Sequence, residues 1–169
     1  MDIGCSSGHR TNNLAKRTQS HVYGLDPSAK AIKYANKTFG FNKESTYALS
    51  FLVGTADDLP FQDGFFDFVY FSFCLYTVDR ESLSTIVIET NRVLKKHGKL
   101  AILDFDSIAE SCGANKHNEA LTTFKAPYDN LFIALGYESV AKLSLKEDGH
   151  LGFERDKDKR VAVTLLHKP

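Results

Sequence analysis

The sequence predicts an α/β fold in which helices connect the strands of a mostly parallel β-sheet. Strand-like and helix-like segments alternate from the first residue to Phe105, and such alternation indicates parallel strands with helical crossovers. Residues 1–8 have an apolar start followed by closely spaced glycines, which is typical of a strand that runs into a ligand-binding turn. With 43% hydrophobic and 25% charged residues, the 169-residue chain has the composition of one globular domain.

In the opening turn, Gly4 and Gly8 suit a backbone that has a positive φ or approaches a ligand closely. The segment from His9 can open a helix, with helix-compatible composition over residues 11–17, and its first N–H groups can face the same ligand. An ordinary strand-to-helix turn without a ligand would use the same residue types. The turn therefore indicates a site only together with other features.

The second strand, predicted over residues 21–26, ends in an acid. Ser28 is predicted to cap a helix over residues 29–39, and Gly40 is predicted to end that helix in the left-handed region. Because a carboxylate has two acceptor oxygens, Asp26 can accept hydrogen bonds from both hydroxyls of a ribose. The alternative is an acid that only caps or balances the following helix.

The middle of the chain is predicted to form the centre of the sheet. Residues 47–53 and 66–74 are apolar enough for buried parallel strands. Asp79 is predicted to cap the next helix, and Gly98 is predicted to stop it before a fifth strand over residues 99–105. The apolar stripe of this helix consists of Leu83, Ile86, Val87, Thr90, Val93 and Leu94.

The last third of the chain follows a different pattern. Residues 107–126 are polar and show no steady period, which predicts a long loop or irregular insertion. A short helix is predicted over residues 128–135, stopped by Gly136. The strands predicted over residues 138–145 and 160–167 are separated by charged loop residues, so they are expected to form an antiparallel hairpin.

Composition makes several classes of partner and site improbable. The 21 Lys and Arg residues balance 21 Asp and Glu residues without a long basic block, so we expect no nucleic-acid partner. No apolar run reaches the ~18 residues that span a bilayer, so we expect no membrane insertion and a cytoplasmic location. Cys5, Cys74 and Cys112 have no metal-ligand spacing, which predicts neither a structural metal nor a disulfide framework.

The glycine spacing separates two kinds of nucleotide ligand. A dinucleotide fingerprint requires G-x-G-x-x-G. Here Ser6 replaces the middle glycine, and after Gly8 no further glycine follows up to Thr11. The chain also has no G-K-[ST] phosphate-binding loop. An adenosine ligand without a pyrophosphate therefore fits better than a nicotinamide dinucleotide.

Four segments, which together fall within residues 1–106, resemble a known family. They are residues 2–8 (DIGCSSG), 24–28 (GLDPS), 56–69 (ADDLPFQDGFFDFV) and 92–100 (RVLKKHGKL). In order and spacing they resemble the motifs of class I S-adenosylmethionine-dependent methyltransferases. The resemblance implies a Rossmann-like three-layer sandwich whose mostly parallel seven-stranded sheet has the order 3-2-1-4-5-7-6 and an antiparallel last strand.

The same resemblance implies one domain over residues 1–169. Residues 1–106 would form the cofactor-binding half, and residues 107–169 would supply an acceptor-side loop, a short helix and the C-terminal hairpin. Met1 already lies inside the first strand, so we expect helices that relatives carry upstream to be lacking from this chain.

S-adenosylmethionine is the cofactor that the resemblance implies. Gly4 and Gly8 would approach its methionine part, with Asp2 beside the amino group. Asp26 would hold the ribose hydroxyls.

The remaining cofactor residues lie after the third and fourth strands. The backbone of Ala56 and the side chain of Asp57 would meet the adenine edge, while Ser72 and Phe73 would line the wall near the sulfonium. The complete expected set is Asp2, Gly4, Cys5, Ser6, Gly8, Asp26, Pro27, Thr55, Ala56, Asp57, Ser72 and Phe73.

Two residues depart from the family pattern. Ser6 adds a side chain where a glycine is usual, and Thr55 replaces a common acid before Ala56. Either change could weaken cofactor binding. Two other functions stay open. One is a cofactor-binding or scaffold domain without catalysis, which Ser6 favours; the other is a nicotinamide-dependent oxidoreductase, which only the general strand-turn-acid pattern favours.

Methyl transfer requires little covalent chemistry from the protein, because the cofactor supplies the reactive carbon and the protein orients donor and acceptor. A general base helps when the acceptor is a hydroxyl or an ammonium. The candidates are Asp104, Asp106, Tyr76 and His117, and each also has a purely structural interpretation as a strand-end acid, a pocket wall or a surface loop residue.

The acceptor is expected to be a small polar molecule, for example a sugar or a polysaccharide precursor. We expect residues 107–128 to recognise it, since this segment follows the fifth strand at the ligand edge and Asn115 to Asn118 are polar. A homo-oligomer is compatible with the sequence.

Overall fold

The computed structural model describes residues 1–40, 47–107, 110–115, 118–146 and 150–169. Its centre is a seven-stranded sheet with the order β3-β2-β1-β4-β5-β9-β8. The strands of this sheet are β1 (Asp2–Ile3), β2 (Val22–Asp26), β3 (Leu49–Val53), β4 (Phe66–Ser72), β5 (Leu94–Phe105), β8 (Glu138–Leu145) and β9 (Val161–His167).

The sheet is parallel from β3 to β5, and β9 lies antiparallel to both β5 and β8. This arrangement confirms the predicted order, in which the sixth and seventh strands correspond to β8 and β9. In β1, Ile3 aligns with Leu25 on one side and with Phe71 on the other. The carboxyl ends of three neighbouring strands therefore lie side by side, and the chain leaves them through Gly4, Asp26 and Ser72.

Helices cover both faces of the sheet: α1 (His9–Thr18), α2 (Ala29–Phe39), α3 (Leu83–Val93) and α4 (Asp129–Ala134). The larger core cluster joins strands β1, β4 and β5 to buried residues of α3 and α4, such as Ile86 and Phe132. A smaller cluster packs Ile32 and Ala35 of α2 against Phe51. Among the described residues, no helix is long and apolar enough to cross a bilayer.

The predicted cap at Ser28 is confirmed, because the Ala31 N–H donates to Ser28 Oγ at 3.3 Å. Gly40 does not end α2 in the left-handed region, since its φ is −66° and its N–H closes a helical hydrogen bond to Asn36 O. Gly136, in contrast, follows α4 with a φ of 101°.

The prediction of an irregular segment over residues 107–126 is wrong. Strands β6 (Ser111–Asn115) and β7 (Asn118–Lys125) pair antiparallel as a separate two-stranded sheet, which we call the β6–β7 hairpin. Ser, Cys, Gly, Ala and Asn make up β6, and these residue types carry little intrinsic strand preference. The pairing with β7 therefore sets the conformation.

The predicted helix stop at Gly98 is also wrong. Helix α3 ends at Val93, and Leu94 already pairs with Phe66 as the start of β5. Lys168 reaches the same end of the helix, where its Nζ donates to Asn91 O at 2.6 Å and Leu94 O at 2.7 Å. A residue from the distant end of the chain thus satisfies carbonyls that the local sequence leaves open.

Candidate functional site

The turn after β1 is fixed by backbone hydrogen bonds to β2. The N–H groups of Gly4 and Cys5 both donate to Leu25 O, at 2.8 and 3.1 Å. Gly4 has a φ of 76°, and a Cβ at this position would lie 2.7 Å from Cys74 Sγ. Glycine is therefore required at position 4 both by the dihedral angle and by the neighbouring segment.

Gly8 has the predicted positive φ, and it also packs tightly against the core. Its φ is 79°, and a Cβ there would lie 2.7 Å from the ring of Phe51 and 3.0 Å from Ala35 Cβ. The position allows α1 to pack closely on the smaller core cluster.

Asp26 joins the turn to the start of α2. Its Oδ2 accepts the Ser6 N–H at 2.8 Å, and its Oδ1 accepts the Ser28 N–H at 2.9 Å. Each carboxylate oxygen has a second lone pair, so both can still accept a hydrogen bond from a ligand. Ser6 itself adopts a φ of 49°, a left-handed conformation that glycine adopts more readily than serine.

A cavity of about 450 Å³, which we call the Gly4 cavity, lies beyond these strand ends. Most of the predicted cofactor residues line it: Gly4, Ser6, Asp26, Pro27, Thr55, Ala56, Asp57 and Phe73. The turn after β1, the end of β2 and the loop after β3 thus converge on one space, as the order of the strands predicts.

Four predicted cofactor residues do not line the Gly4 cavity. Cys5 and Gly8 pack within the smaller core cluster or against it. Ser72 is buried, and its Oγ accepts a hydrogen bond from Arg10. Asp2 is buried beneath the turn and accepts the Thr11 hydroxyl at 2.7 Å.

Asp2 nevertheless keeps one free acceptor. Its Oδ1 is buried and has no hydrogen-bond partner among the described residues. Burial raises the pKa of the Asp2 carboxyl, and the hydrogen bond from Thr11 opposes that shift. A buried acceptor without a donor is unfavourable, and a donor group beside the turn would relieve it.

The loop after β3 is held in place by α3. Glu89 Oε2 accepts the Leu59 N–H at 3.0 Å, while Arg92 donates to Leu59 O at 2.9 Å and Phe61 O at 2.6 Å. Arg92 and Glu89 also pair with each other at 2.7 Å, and the hydrogen bond from Arg92 lowers the pKa of the Glu89 carboxyl. Two helix side chains therefore fix the loop that carries Thr55, Ala56 and Asp57.

Sequence reasoning missed the wall opposite that loop. It consists of Cys74, Thr77, Val78, Asp79 and Ser82, together with Ile86 of α3. Residues 74–82 follow β4 and contain two short 3₁₀ turns, Leu75–Thr77 and Arg80–Ser82. Asp79 was predicted only as a helix cap, and the signal that could have found this wall is the position of the segment after a central parallel strand.

Cys74 is a neutral group in this wall. Burial raises the pKa of its thiol to about 12, and the nearby Asp104 adds to the shift. The thiol stays protonated at neutral pH and acts as a packing residue.

A second cavity of about 440 Å³, the hairpin cavity, adjoins the first. Its aromatic side consists of Phe73, Tyr76 and Phe105, whose ring centroids lie 5.1 to 6.4 Å apart. The other side consists of residues 111–115, Thr123 and Lys125 of the β6–β7 hairpin together with Asp158 and Lys159. Phe73 lines both cavities.

Arg10 of α1 contacts both Phe73 and the last residue of β4, Ser72. Phe73 has a φ of 50°, and the guanidinium carbon of Arg10 lies 5.6 Å from its ring centroid while the same side chain donates to Ser72 Oγ. The ring is thereby fixed at the boundary between the two cavities.

The four candidate bases occupy different environments. Tyr76 lines the hairpin cavity, whereas His117 lies outside the described residues. Asp106 pairs with Lys142 Nζ at 2.7 Å and does not line either cavity.

Asp104 is buried, and its oxygens accept the N–H groups of Cys74, Leu75 and Phe105 at 3.1, 2.9 and 2.8 Å. Burial raises its pKa to about 7 although those backbone hydrogen bonds lower it. Its contacts hold the segment after β4 rather than facing either cavity.

These features fit an adenosine-containing cofactor in the Gly4 cavity. Asp26 presents two acceptor oxygens there, and Asp57 lies in the loop across the cavity from the segment after β4. Among the described residues, no group of three or more His, Cys, Asp or Glu side chains could hold a metal ion.

Comparison with known proteins agrees with this geometry. The methyltransferase domain family matches residues 1–102. An uncharacterised methyltransferase of Synechocystis sp. is 35% identical over 104 residues, which are 62% of this chain and 45% of that protein. A 2-phytyl-1,4-naphthoquinone methyltransferase of Trichormus variabilis is 30% identical over 151 residues, 88% of this chain and 59% of that protein.

The fold has a close counterpart among solved structures. An S-adenosylmethionine-dependent methyltransferase of Methanosarcina mazei superimposes with a TM-score of 0.79 at 21% identity, covering 99% of this chain and 90% of that one. The chain spans about half the length of the two curated relatives.

Proposed function

Because this chain belongs to the class I S-adenosylmethionine-dependent methyltransferases, we propose that it transfers a methyl group from that cofactor to a small molecule. The cofactor would occupy the Gly4 cavity and the acceptor would occupy the hairpin cavity. The observation that carries the proposal is the shared wall at Phe73, which places two cavities of similar volume next to each other. The turn after β1, the end of β2 and the loop after β3 would serve the cofactor, whereas Tyr76, Phe105 and the β6–β7 hairpin would serve the acceptor.

Each cavity wall would have a defined task. Asp26 would accept the ribose hydroxyls while its bonds to the Ser6 and Ser28 amides keep the carboxylate in place. Glu89 and Arg92 would keep Asp57 and its loop at the adenine edge. When bound, the cofactor supplies an electrophilic methyl group, so the protein has to orient the acceptor and exclude water rather than provide a nucleophile.

The lining of the hairpin cavity favours a planar aromatic acceptor. Phe73, Tyr76 and Phe105 offer ring faces and edges, and aromatic pairs are stabilising in such offset and edge-to-face geometries. Lys125 Nζ lies 4.4 Å from the centroid of Phe105 and brings a positive charge to the same cavity. An acceptor with an ionisable hydroxyl on an aromatic ring would match both features. The naphthoquinone named for one relative shares the planar fused ring of such an acceptor, although its own ring oxygens are carbonyls.

The small polar acceptor expected from the sequence, such as a sugar, is the competing acceptor class. Its polar partners would be the hairpin side chains, since Asn115 and Thr123 line the same cavity. Tyr76 is the candidate base for either class, because it is the one of the four candidates that lines this cavity within the described part of the chain.

Transfer of labelled methyl groups tests the proposal. The purified chain is incubated with methyl-labelled S-adenosylmethionine and either dihydroxynaphthalenes or free and nucleotide-linked sugars. We expect transfer to the aromatic hydroxyl, and we expect Lys125→Gln to raise KM for that acceptor about tenfold through loss of one charged contact. Lys96→Gln is the matched control, because Lys96 is exposed at the opposite end of β5.

Three outcomes would change the proposal. Transfer to sugars alone would replace the aromatic acceptor with a polar one. Binding of the cofactor without transfer to any acceptor would favour a non-catalytic cofactor-binding domain. Equal effects of Lys125→Gln and Lys96→Gln would show that Lys125 does not contact the acceptor.

A further inference from the structure

Arg80 contacts a chain segment of each cavity without lining either cavity itself. It starts the second 3₁₀ turn after β4, directly after Asp79 of the Gly4 cavity wall. Its Nη2 donates to Leu75 O and Val78 O, both at 3.3 Å. The guanidinium therefore holds the backbone of residues 75–78 within the segment that forms this wall.

The same guanidinium contacts the β6–β7 hairpin. Its central carbon lies 4.4 Å from the ring centroid of Phe124, and Phe124 stands between Thr123 and Lys125, which line the hairpin cavity. A guanidinium over an aromatic face is attracted by the negative face of the ring. Arg80 Nε also lies 3.7 Å from Glu110 Oε1, just before the hairpin begins.

Tyr128 completes the link. Arg80 Nη2 donates to the Tyr128 hydroxyl at 2.8 Å, and that hydroxyl donates in turn to Phe124 O. Burial raises the pKa of Tyr128 to about 12, so the hydroxyl keeps its proton at neutral pH and can donate and accept at once. One planar cation thus fixes the cofactor-side wall and the acceptor-side hairpin to each other.

We propose that Arg80 is a positioning residue that couples the Gly4 cavity to the hairpin cavity. A ligand that orders residues 74–82 restrains the Arg80 guanidinium, which in turn restrains the β6–β7 hairpin through Phe124 and Tyr128. The coupling is reciprocal, so an occupied hairpin cavity tightens cofactor binding by the same factor. This inference rests on the proposed function, because it requires the cofactor to bind in the Gly4 cavity.

Amide hydrogen exchange with and without S-adenosylhomocysteine tests the coupling without a known acceptor. At saturating S-adenosylhomocysteine we expect exchange in peptides covering residues 118–125 to slow about fivefold, at the lower end of usual coupling factors. In Arg80→Lys the slowing should disappear, because an ammonium has no planar group to lie over the Phe124 ring and does not extend as far as Nη2. Its S-adenosylhomocysteine affinity should fall less than about threefold, since Arg80 does not line that cavity.

Tyr128→Phe is a second, milder variant. It removes the hydroxyl between Arg80 and Phe124 O but keeps the ring, so the slowing should be partly lost. Arg17→Lys, on the exposed end of α1, is the control variant and should keep the full slowing. Peptides covering β8 should be unaffected in every protein.

The results separate this inference from the proposed function. If S-adenosylhomocysteine binds but the hairpin peptides do not slow, or if Arg80→Lys keeps the full slowing, the coupling is contradicted while the cofactor site stands. If S-adenosylhomocysteine does not bind the unmodified chain, both are overturned. A change in baseline exchange alone, equal with and without S-adenosylhomocysteine, would also contradict the coupling, because it would show only a structural role.

Discussion

Gly4 and Gly8 have the same kind of backbone angle but different neighbours. At Gly4 the space for a side chain is taken by Cys74, a residue of the segment that walls the Gly4 cavity. At Gly8 it is taken by Phe51 and Ala35 of the core. The first glycine therefore shapes the site, and the second shapes the packing of α1.

Gly4→Ala should lower the free energy of unfolding by about 2–4 kcal/mol. This loss is the sum of two costs: a left-handed backbone angle at a residue with a Cβ, and a steric clash of that Cβ with Cys74. Gly136→Ala, with a φ of 101° but no atom within 4 Å of its Cβ, should show the dihedral cost alone, about 1–2 kcal/mol. Gly113→Ala has neither problem and should be nearly neutral. Urea unfolding followed by circular dichroism measures all three, and equal losses at positions 4 and 136 would show that the Cys74 contact is unimportant.

Asp104 should make stability depend on pH. Burial raises the pKa of its carboxyl from 3.8 to about 7 in the folded chain. Between about pH 4 and pH 7 the folded chain then holds a proton that the unfolded chain has lost, so the free energy of unfolding falls as pH rises, by at most ~1.4 kcal/mol per pH unit. Above the folded pKa the contribution is flat.

Asp104→Asn checks this prediction. The amide can still accept the N–H groups of Cys74 and Leu75, but its NH₂ group then faces the Phe105 N–H, so the variant should be less stable overall. Its free energy of unfolding, measured with urea, should nevertheless fall less between pH 4 and pH 7 than that of the unmodified chain, because the contribution of Asp104 is gone. Parallel profiles for the two proteins would show that another group causes the dependence.

At the residue scale, the sequence was informative where a role depends on near neighbours. Asp26 was predicted from its place after a strand, and the structure places it on the Gly4 cavity. The packing role of Gly8 could not be predicted, because the ring that requires it belongs to Phe51, which is distant in sequence. The surroundings of Asp104 were unpredictable for the same reason, since its partners lie in the segment after β4.

Helix α3 contributes more than a packed face. Its apolar side joins the larger core cluster, while Glu89 and Arg92 hold the loop that contains Leu59 and Phe61. These two side chains form four hydrogen bonds with the loop. Glu89 accepts one backbone N–H, and Arg92 donates to two backbone carbonyls and to the Asp63 carboxylate. The helix thereby sets the position of one wall of the Gly4 cavity.

Arg92→Lys should weaken the binding of S-adenosylhomocysteine about three- to tenfold without unfolding the chain. One ammonium cannot replace the contacts that the forked guanidinium makes to Leu59, Phe61 and Glu89. Lys95→Ala is the control: it removes an exposed pair with Asp67 and should leave the affinity unchanged. Calorimetric titration provides the measurement. If Arg92→Lys bound S-adenosylhomocysteine as tightly as the unmodified chain does, the hydrogen bonds of Arg92 would not be needed to hold the loop.

At the element scale, the predictions failed where long-range pairing determines the structure. Helix α2 and strand β8 have the predicted bounds, since apolar spacing and flanking turn residues mark them locally. The β6–β7 hairpin was missed because β6 gains its extended form from cross-strand pairing with β7. The end of α3 was misplaced because Leu94 is captured by pairing with Phe66 in β4.

At the scale of the whole molecule, the strand order creates the site. Placing β1 between β2 and β4 brings the ends of three strands together, and β5 next to β4 brings Phe105 beside Phe73. The family resemblance implied this order, and the structure confirms it. The sequence assigned acceptor recognition to residues 107–128, but the shape of the hairpin cavity could not be predicted, since seven of its twelve lining residues belong to the segment expected to be irregular.

The central claim is that the Gly4 cavity binds S-adenosylmethionine through Asp26. Isothermal titration of the chain with S-adenosylhomocysteine tests it most directly, with nicotinamide adenine dinucleotide as the competing ligand, Asp26→Ala as the site variant and exposed Asp58→Ala as the matched control. We expect one S-adenosylhomocysteine per chain, no heat with the dinucleotide, and at least tenfold weaker binding in Asp26→Ala from loss of about 1.5–3 kcal/mol of charged hydrogen bonding. Asp58→Ala should bind as the unmodified chain does. Binding of the dinucleotide instead, or equal S-adenosylhomocysteine affinity in Asp26→Ala and the unmodified chain, would contradict the claim.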